Sequence, residues 1–474
     1  MAQKQRQAGL VVAVFLGTFM SLLDVSVVNV ALPAMRHDLH AGFSTVQWVV
    51  DSYTLCLSAL ILSGGTLGDR YGRRRLFLAG LAVFTAGSLL CAVAPTTAVL
   101  ILGRFVQGTG AAAVAPGALS LLVQGFPARR QQARMIGLWG ACVALAVVVG
   151  PLVGGVLTDA FGWPAIFLIN LPLGVVAIVA GRAGITETAD PEHAAGDPAG
   201  QVLGVVWLAA LTYAVLEAGH RGWGSPLILG SLGVAAAGLV AFVMVERRAR
   251  RPMLPPALFT RPRFVVVTFA SFALGFGAYS TFYLLSLFLQ QVRGATAAQT
   301  GVEFLPYSIA VALGSVVGGR LGARLSGDRI MLAGYALITV GLLALVSLHA
   351  GESYGWIAAL FVVLGVGMGL AITSTNSAGV NAVGRRRSGT AAATVNAARQ
   401  TGTALGVAAL GAIVNGHLGA GRTVIDPAAF TAGLRVSLAV GGAVTLVAAV
   451  LIAVVRPAAE VTDLPETGQS RAAA

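Results

Sequence analysis

The chain has 474 residues, of which 57% are hydrophobic and only 10% carry a charged side chain. Soluble domains have about 25% charged residues, and a globule of this length needs a polar surface, so the composition excludes a soluble protein. The net charge of +13 does not indicate nucleic-acid binding, because the basic residues lie in short clusters between apolar runs rather than on one polar face. We therefore predict an all-α integral membrane protein whose surroundings are the lipid bilayer.

Apolar runs of membrane-spanning length recur along the whole chain. A bilayer core needs about 20 mostly apolar residues per helix. Lys4 and Arg6 precede the first run, which is therefore expected to be an anchor helix rather than a cleaved signal peptide. On this criterion the sequence predicts fourteen transmembrane helices, at residues 9–33, 46–64, 76–94, 97–123, 134–158, 163–182, 201–219, 225–245, 264–291, 304–324, 329–348, 355–379, 389–416 and 433–455.

The distribution of basic residues predicts the orientation of these helices. If the N-terminus is cytoplasmic, 24 of the 31 Lys and Arg residues fall in cytoplasmic gaps, five fall in outer gaps and two fall inside spans. This bias is typical of membrane proteins, and the loss of one helix would invert every later gap. We therefore expect a multi-pass protein of the bacterial inner membrane with both termini in the cytoplasm.

A weak internal repeat predicts two halves. The segment Gly65-Thr-Leu-Gly-Asp-Arg70 recurs as Gly319-Arg-Leu-Gly-Ala-Arg324, and both copies lie at the cytoplasmic end of a predicted helix. Repeated halves are expected of transporters that rock around a central site. The predicted organisation is a six-helix bundle at 1–185, a linker with two extra transmembrane helices at 186–262, a second six-helix bundle at 263–457, and a disordered cytoplasmic tail at 458–474.

The sequence contains no pattern that is typical of an enzyme or a metal site. Cys56, Cys91 and Cys142 all lie in apolar runs, which favours inert packing over a disulfide or metal set. The histidines lack metal-ligand spacing, and no GxxxxGK[ST] loop is present to bind ATP. We expect no cofactor, no metal and no catalytic residue.

Six segments resemble one transporter family. They are Leu23-Asp-Val-Ser-Val-Val-Asn-Val-Ala-Leu-Pro33, Trp48-Val-Val-Asp-Ser-Tyr-Thr-Leu55, Gly65-Thr-Leu-Gly-Asp-Arg-Tyr-Gly-Arg-Arg-Arg75, Leu102-Gly-Arg-Phe-Val-Gln-Gly-Thr-Gly110, Gly150-Pro-Leu-Val-Gly-Gly155 and Asn396-Ala-Ala-Arg-Gln-Thr-Gly402. Together they resemble the major facilitator superfamily, specifically its fourteen-helix drug:proton antiporter branch. Two positions depart from the family pattern. Ala146 replaces a glycine before the fifth-helix motif, and Trp163-Pro164-Ala165 replaces Trp-Arg-Trp at the start of the sixth helix.

The resemblance implies a fold of two six-helix bundles with two additional helices. It implies export of amphipathic drugs or toxic small molecules in exchange for protons, by alternating access. A dedicated exporter of one endogenous metabolite or antibiotic would carry the same motifs. A membrane receptor or scaffold that transports nothing is the alternative from another class, and acids inside spans argue against it.

Three ionisable residues inside spans are the candidates for proton coupling. Asp24, Asp51 and Arg104 fall at similar depth in the first, second and fourth helices. Burial disfavours the charged form of a carboxylate and a nearby Arg favours it, so an acid balanced between the two can load and release a proton. The alternative for each residue is an ion pair that only holds helices together.

Two further motifs, one between the second and third helices and one in the fifth helix, predict segments that change contact during transport. The resemblance implies that Gly65, Asp69, Arg70, Gly72 and Arg73 form a cytoplasmic gate, in which Asp69 accepts hydrogen bonds across the interface between the halves. The alternative is that these arginines only fix the orientation of the helices in the membrane. In the fifth helix, small residues allow close contact and proline bends the helix, so a pliable interface is expected at these residues: Gly150, Pro151, Gly154 and Gly155.

Other polar and aromatic residues in the spans are weaker candidates. Arg399 could pair with substrate or brace the second half, and Glu217 and Glu303 could be merely solvated near helix ends. Ordinary packing is an alternative for each aromatic residue. The candidate lining of a cavity for a lipophilic or cationic small molecule is Asn29, Tyr53, Gln107, Tyr279, Tyr283 and Arg399. We expect a monomer that exchanges this substrate for protons.

Overall fold

The computed structural model describes residues 2–126, 128–188, 197–249, 258–322, 325–382, 388–418 and 426–455. Over these residues the chain is helical with short connections, which confirms the predicted all-α fold. Within these described ranges, thirteen helices are long and apolar enough to cross a membrane, and one more contains the apolar stretch Thr45–Ile61. The fourteen helices are α1 Ala2–Asp38, α2 Phe43–Tyr71, α3 Arg73–Ala92, α4 Thr97–Gly125, α5 Arg129–Phe161, α6 Ala165–Gly184, α7 Pro198–Arg221, α8 Pro226–Arg248, α9 Pro262–Val292, α10 Ala297–Leu321, α11 Gly327–Ser347, α12 Tyr354–Asn381, α13 Ser388–Leu418 and α14 Pro427–Val454.

Several helices extend beyond their predicted apolar cores. The fifth helix was predicted at 134–158 and runs from Arg129 to Phe161. The tenth was predicted from residue 304 and begins at Ala297, where Thr296 and Gln299 form a reciprocal capping box. Helical hydrogen bonding continues past the hydrocarbon because it satisfies the backbone on both sides of the lipid boundary, whereas hydropathy marks only the lipid-facing part.

Proline explains the interruptions in two of the helices. α6 is interrupted at Ile169, three residues before Pro172, and α10 is interrupted at Phe304, two residues before Pro306. Proline lacks an N–H donor, and its ring crowds the carbonyl of the residue four positions earlier. Each interruption therefore lies within the turn that precedes the proline.

α9 contains two π-helical turns, at Leu274–Tyr279 and Phe288–Val292. Gly275 lies in the first of these turns and contacts the backbone carbonyl of Arg399 in α13 so closely that a Cβ could not fit. π-Turns widen a helix locally and often occur at functional sites. This turn brings the backbones of α9 and α13 together near the middle of both helices.

We call α1–α6 the first half and α9–α14 the second half, and α7 lies against both. α7 packs on α2 of the first half and α13 of the second, and Gln201 of α7 donates a hydrogen bond to the carbonyl of Ala59 at 3.1 Å. α8 packs on α7 through Gly238 and Trp207. The predicted domain limits near 186, 262 and 458 stay predictions, and the tail at 458–474 lies outside the described residues.

The two halves touch at the end of the molecule that holds His40 and the α9–α10 connection. We name this end the outer end after the orientation predicted from the sequence, and the opposite end, with Gly72, the inner end. Ser286 donates a hydrogen bond to the carbonyl of Asn29 at 3.0 Å, and Gln290 donates to Val30 at 2.8 Å. These bonds join α9 to α1, so the outer end is closed between these helices.

Candidate functional site

A buried ion pair joins α1 and α4. Asp24 is 0% exposed, Arg104 is 1% exposed, and Nη1 of Arg104 contacts Oδ2 of Asp24. Nε of Arg104 donates to the carbonyl of Val49 in α2 at 2.9 Å. Nη1 also donates to Oε1 of Gln107 at 2.8 Å. The guanidinium therefore ties together three helices of the first half.

The carboxylate of Asp24 has amide donors in addition to Arg104. Nε2 of Gln107 donates to Oδ1 of Asp24 at 3.0 Å, and Nδ2 of Asn170 lies 3.3 Å from the same oxygen. Both amides also reach Oγ of Ser88, at 2.7 Å from Gln107 and 3.3 Å from Asn170. All of these residues are 0% exposed. We call Asp24, Arg104, Gln107, Asn170 and Ser88 the charge network.

Aromatic rings enclose this network. The ring of Tyr53 lies 4.4 Å from Cζ of Arg104, and the ring of Phe167 lies 6.0 Å from it. The hydroxyl of Tyr53 donates to the carbonyl of Ser21 at 3.2 Å. Cation–π contacts in a dry setting stabilise the guanidinium without neutralising it. The rings also exclude water from the pair, which strengthens its electrostatics.

The sequence analysis missed Ser88 and Asn170. Both are uncharged polar residues inside predicted spans, and that is the signal that could have marked them, since a buried polar group needs a partner in lipid. Asn170 directly follows the interruption of α6 that Pro172 explains. The break therefore places the amide at a point where it reaches α1 and α3.

Asp51 is buried in a different environment from Asp24. It is 0% exposed, and neither carboxylate oxygen has a hydrogen-bond partner among the described residues. One turn away, Gln47 donates to the carbonyl of Val407 in α13 at 3.0 Å. Tyr283 of α9 lies within electrostatic reach of Asp51. Asp51 thus lies where α2 meets the second half, and its acid is not part of the charge network.

The two acids are suited to different tasks. Protonation of Asp24 would weaken its pairing with Arg104 and loosen the charge network. A buried carboxylate without donors is costly when charged, so Asp51 is the less well stabilised of the two anions. Asp24 has Arg104 and two amides as donors, whereas Asp51 has none among the described residues.

The fifth-helix motif lies at two interfaces. A Cβ on Gly154 would lie 2.7 Å from Cα of Val27 in α1, and a Cβ on Gly155 would overlap the carbonyl of Ala297 in α10. Gly301 of α10 approaches the carbonyl of Pro151 as closely. The small residues therefore allow α5 to touch both α1 and the opposite half at the outer end.

One side chain crosses between the halves beside this contact. Oδ2 of Asp159, near the C-terminus of α5, accepts a hydrogen bond from the backbone N–H of Ala298 at 2.9 Å. That N–H belongs to the first turn of α10, which has free donors and favours negative charge. The sequence analysis did not single out Asp159. We call Gly155, Gly301, Asp159 and Ala298 the outer gate.

The candidate inner gate lies around the turn between α2 and α3. Gly72 has a φ of 110°, a conformation that side chains disfavour, and its N–H donates to Gly68 at 3.0 Å. The carboxylate of Glu187 accepts from the N–H groups of Arg74 and Arg75 at 3.1 and 3.2 Å. Glu187 therefore caps the N-terminus of α3.

The other described residues of this candidate gate lie around the same turn. The guanidinium of Arg70 lies 5.2 Å from the ring of Tyr71. Gly65 is partly buried near Pro116, and Arg73 N–H donates to Thr188 at 3.0 Å. The side chain of Asp69 lies outside the described residues, so its predicted role stays a prediction, and the second copy of the motif ends outside them at residues 323–324.

The six candidate cavity residues do not form one surface. Gln107 and Tyr53 are buried in or against the charge network, and Tyr283 is 1% exposed. Asn29 is buried where α1 meets α9. Tyr279 and Arg399 are partly exposed and in contact, with Cζ of Arg399 5.5 Å from the Tyr279 ring. These last two are in contact with each other, and a cavity lined by all six residues stays a prediction.

The weaker acidic candidates lie toward the outer end. Glu217 pairs with Arg221 at 3.2 Å on the last turns of α7. Glu303, together with Arg293 and Leu152, lines a cavity of about 550 Å³ between α5 and the start of α10. Oε2 of Glu303 has no hydrogen-bond partner among the described residues. Neither acid contacts the charge network.

Comparisons with known proteins agree with this architecture. Residues 14–407 match the sequence model of the Major Facilitator Superfamily. The chain is 37% identical over 406 residues to the Methylenomycin A resistance protein of Bacillus subtilis (strain 168), covering 85% of this chain and 86% of that protein. It is 37% identical over 425 residues to the Multidrug resistance protein Stp of Mycobacterium tuberculosis (strain CDC 1551 / Oshkosh), covering 88% of this chain and 78% of that protein.

A solved structure supports the same fold. The crystal structure of an auto-inhibited POT family peptide transporter superposes with a TM-score of 0.68 at 17% identity, covering 96% of this chain and 98% of that one. At this identity the likeness concerns the fold alone. It agrees with the arrangement of membrane-spanning helices described above.

Proposed function

We propose, since this chain belongs to the Major Facilitator Superfamily of transporters, that it exports amphipathic drugs or toxic small molecules across the plasma membrane in exchange for protons. The observation that carries the proposal is the charge network, in which Asp24 and Arg104 are paired and fully buried inside spans. Charged groups in membrane helices are expensive and mark ion or substrate pathways. A relative named for multidrug resistance supports drugs as the substrate class.

Transport in this proposal follows alternating access. The outer gate is closed in this structure through α5 and α10, and substrate enters from the cytoplasm. Protonation from outside loosens the pairing of Asp24, and Asp51 carries or relays a proton when the halves move apart. Both termini lie in the cytoplasm, and one chain performs the whole cycle.

A proteoliposome assay tests this function. Efflux of a compound panel is measured with and without an imposed pH gradient for wild type and Asp24→Asn. Asp38→Asn, at the exposed outer end of α1, is the matched control. We expect the gradient to drive efflux in wild type and the control, and to lose its effect in Asp24→Asn. Equal proton-driven efflux by Asp24→Asn and wild type would refute the role of Asp24.

The second candidate is a dedicated exporter of one antibiotic or endogenous metabolite. A relative named for resistance to methylenomycin A alone favours it. The same panel separates the two, because a dedicated exporter moves one chemical scaffold and a multidrug exporter moves several. Movement of no compound would favour the receptor or scaffold instead.

A further inference from the structure

A stripe of aromatic side chains runs along α9 and ends at Arg399. Phe269 and Phe272 stack with ring centroids 6.3 Å apart, and Phe272 and Phe276 stack at 5.9 Å. Tyr279 follows three residues later and lies over the Arg399 guanidinium. All four rings are partly exposed. The stripe extends for ten residues, or about 15 Å, from the inner side toward the middle of α9.

This stripe faces the interior of the protein rather than lipid. In the span Pro262–Val292, 78% of an 18-residue apolar stretch is buried inside the protein, more than in any other described span. Partial exposure on so enclosed a helix indicates a gap between helices. The same holds for Asn396 and Arg399 on α13, where Gly402 faces Phe272 of α9 and Ala397 packs in the cluster around Tyr53 of α2. At about 100° per residue, Arg399 lies about 60° from Gly402 and about 160° from Ala397, so its side chain leaves α13 on the side nearer α9, where it meets Tyr279.

Arg399 has no counter-ion in the part of the chain that the structure describes. Among the described residues no carboxylate lies within 4.0 Å of its guanidinium. Nη2 donates to Oδ1 of Asn396 at 2.5 Å, and Nε is buried without a hydrogen-bond partner. Arg104, the other arginine deep in a span, is paired with Asp24 and hydrogen-bonded on both sides. A guanidinium that lies beside a gap between helices, with a buried Nε that has no partner, is suited to bind an anion that enters the gap.

We propose that Arg399 binds the carboxylate of a flat, lipophilic substrate whose rings stack along Phe269, Phe272, Phe276 and Tyr279, so that amphipathic acids are the preferred cargo. This inference rests on the proposed export function and names its substrate class. A guanidinium presents paired donors that match a carboxylate, and its positive charge repels a cationic drug at the same place. Aromatic rings recognise flat bodies of many shapes, which is compatible with a broad range of acids.

The chemistry of weak acids suits such a site. A lipophilic acid crosses the membrane in its neutral form and accumulates as an anion in a near-neutral cytoplasm. An exporter must therefore recognise the anion, and the inside-negative membrane potential favours the movement of that charge outward. Exchange for an entering proton adds to the same driving force.

Three probes with one aromatic body test the proposal. They are 4-(1-pyrenyl)butyrate, its N-methylamide, and the corresponding pyrenylbutyl-trimethylammonium, and their binding to purified protein in detergent is followed by pyrene fluorescence anisotropy. We expect the carboxylate to bind about tenfold more tightly than the amide, and the ammonium to bind most weakly. In Arg399→Gln the advantage of the carboxylate over the amide should disappear while amide affinity stays the same. Arg399→Lys should retain part of that advantage.

Arg320→Gln removes an equally basic residue from the exposed inner end of α10 and should leave all three affinities unchanged. Unchanged amide binding by Arg399→Gln also shows that this variant is folded. Tighter binding of the ammonium by wild type, an unchanged preference in Arg399→Gln, or no binding of any probe would overturn the proposal. Binding needs no gradient, so a carboxylate preference without proton-driven efflux would refute the export function and leave this site standing.

Discussion

Gln107 bridges Asp24 to Arg104 through opposite ends of one amide. Its Oε1 accepts from Arg104 at 2.8 Å, and its Nε2 donates to Asp24 at 3.0 Å. The amide therefore contacts both charged groups. Its Nε2 also donates a hydrogen bond to Oγ of Ser88 in α3 at 2.7 Å. A change in the protonation of Asp24 would alter contacts on α1, α3 and α4 together, because the three helices share these atoms.

The ion pair should behave as a unit in a double-mutant cycle. Asp24→Asn and Arg104→Gln each leave one buried charge without its partner, and each is expected to lower the free energy of unfolding by about 3–5 kcal/mol. The double variant should lose clearly less than the sum, since neither charge remains. Thermal unfolding of the four proteins in detergent measures this. Additive losses would mean that the two side chains do not stabilise each other.

Asp51 should tolerate the loss of its charge better than Asp24. Its oxygens have no hydrogen-bond partner among the described residues, so Asp51→Asn is expected to change the free energy of unfolding by no more than about 1 kcal/mol. Proton-driven efflux should nevertheless fall about tenfold, equivalent to about 1.4 kcal/mol in the barrier. Substrate exchange without a gradient should persist. A variant with unaltered gradient-driven efflux would remove Asp51 from the coupling mechanism.

The outer gate depends on the missing side chain at Gly155. Gly155→Val places methyl groups against the carbonyl of Ala297, so the halves should no longer close at this end. Opening is reported by Ser286→Cys, since Ser286 is 0% exposed, in a background without the three native cysteines. We expect an impermeant maleimide to label this cysteine several-fold faster when Gly155→Val is present.

Gly140→Ala on the same helix is the control for the gate, because a Cβ there meets nothing within 4 Å. Labelling of Ser286→Cys should be unaffected by it. Equal labelling in the presence and absence of Gly155→Val would show that α5 and α10 do not control access from outside.

Replacement of Gly72, in the turn between α2 and α3, should destabilise the protein. An alanine there would adopt a φ of 110° and crowd the Glu187 carboxylate at 2.6 Å. We expect Gly72→Ala to lower the free energy of unfolding by about 1–2 kcal/mol, as measured by thermal unfolding. Gly327→Ala, whose Cβ meets nothing within 4 Å at the start of α11, should be neutral or slightly stabilising. Equal effects of the two substitutions would contradict this account of the turn.

The number and kind of the helices follow from the sequence because lipid leaves few alternatives. A run of apolar residues must form a helix that satisfies its own backbone, so hydropathy predicts most of the spans; among the described residues thirteen helices meet the length and apolarity needed, and α2 has a shorter apolar stretch. It does not locate their ends: α5 continues to Phe161 and α10 begins at Ala297, where hydrogen bonding and capping rather than lipid set the limit. The prolines that explain the breaks were visible, but their consequences depended on what each broken turn contacts.

The candidate site, like the fold, was predicted from the sequence only in part. Charge inside a span singled out Asp24, Asp51, Arg104 and Arg399 from sequence, since such residues are too costly in lipid to lack a partner or a task. Only the tertiary structure decided which of them pair. Helices distant in sequence bring Arg104 to Asp24, leave Asp51 beside the second half and leave Arg399 with no acid within reach among the described residues. Whether two charged side chains pair depends on the distance between their helices, and the hydropathy of one helix does not contain that distance.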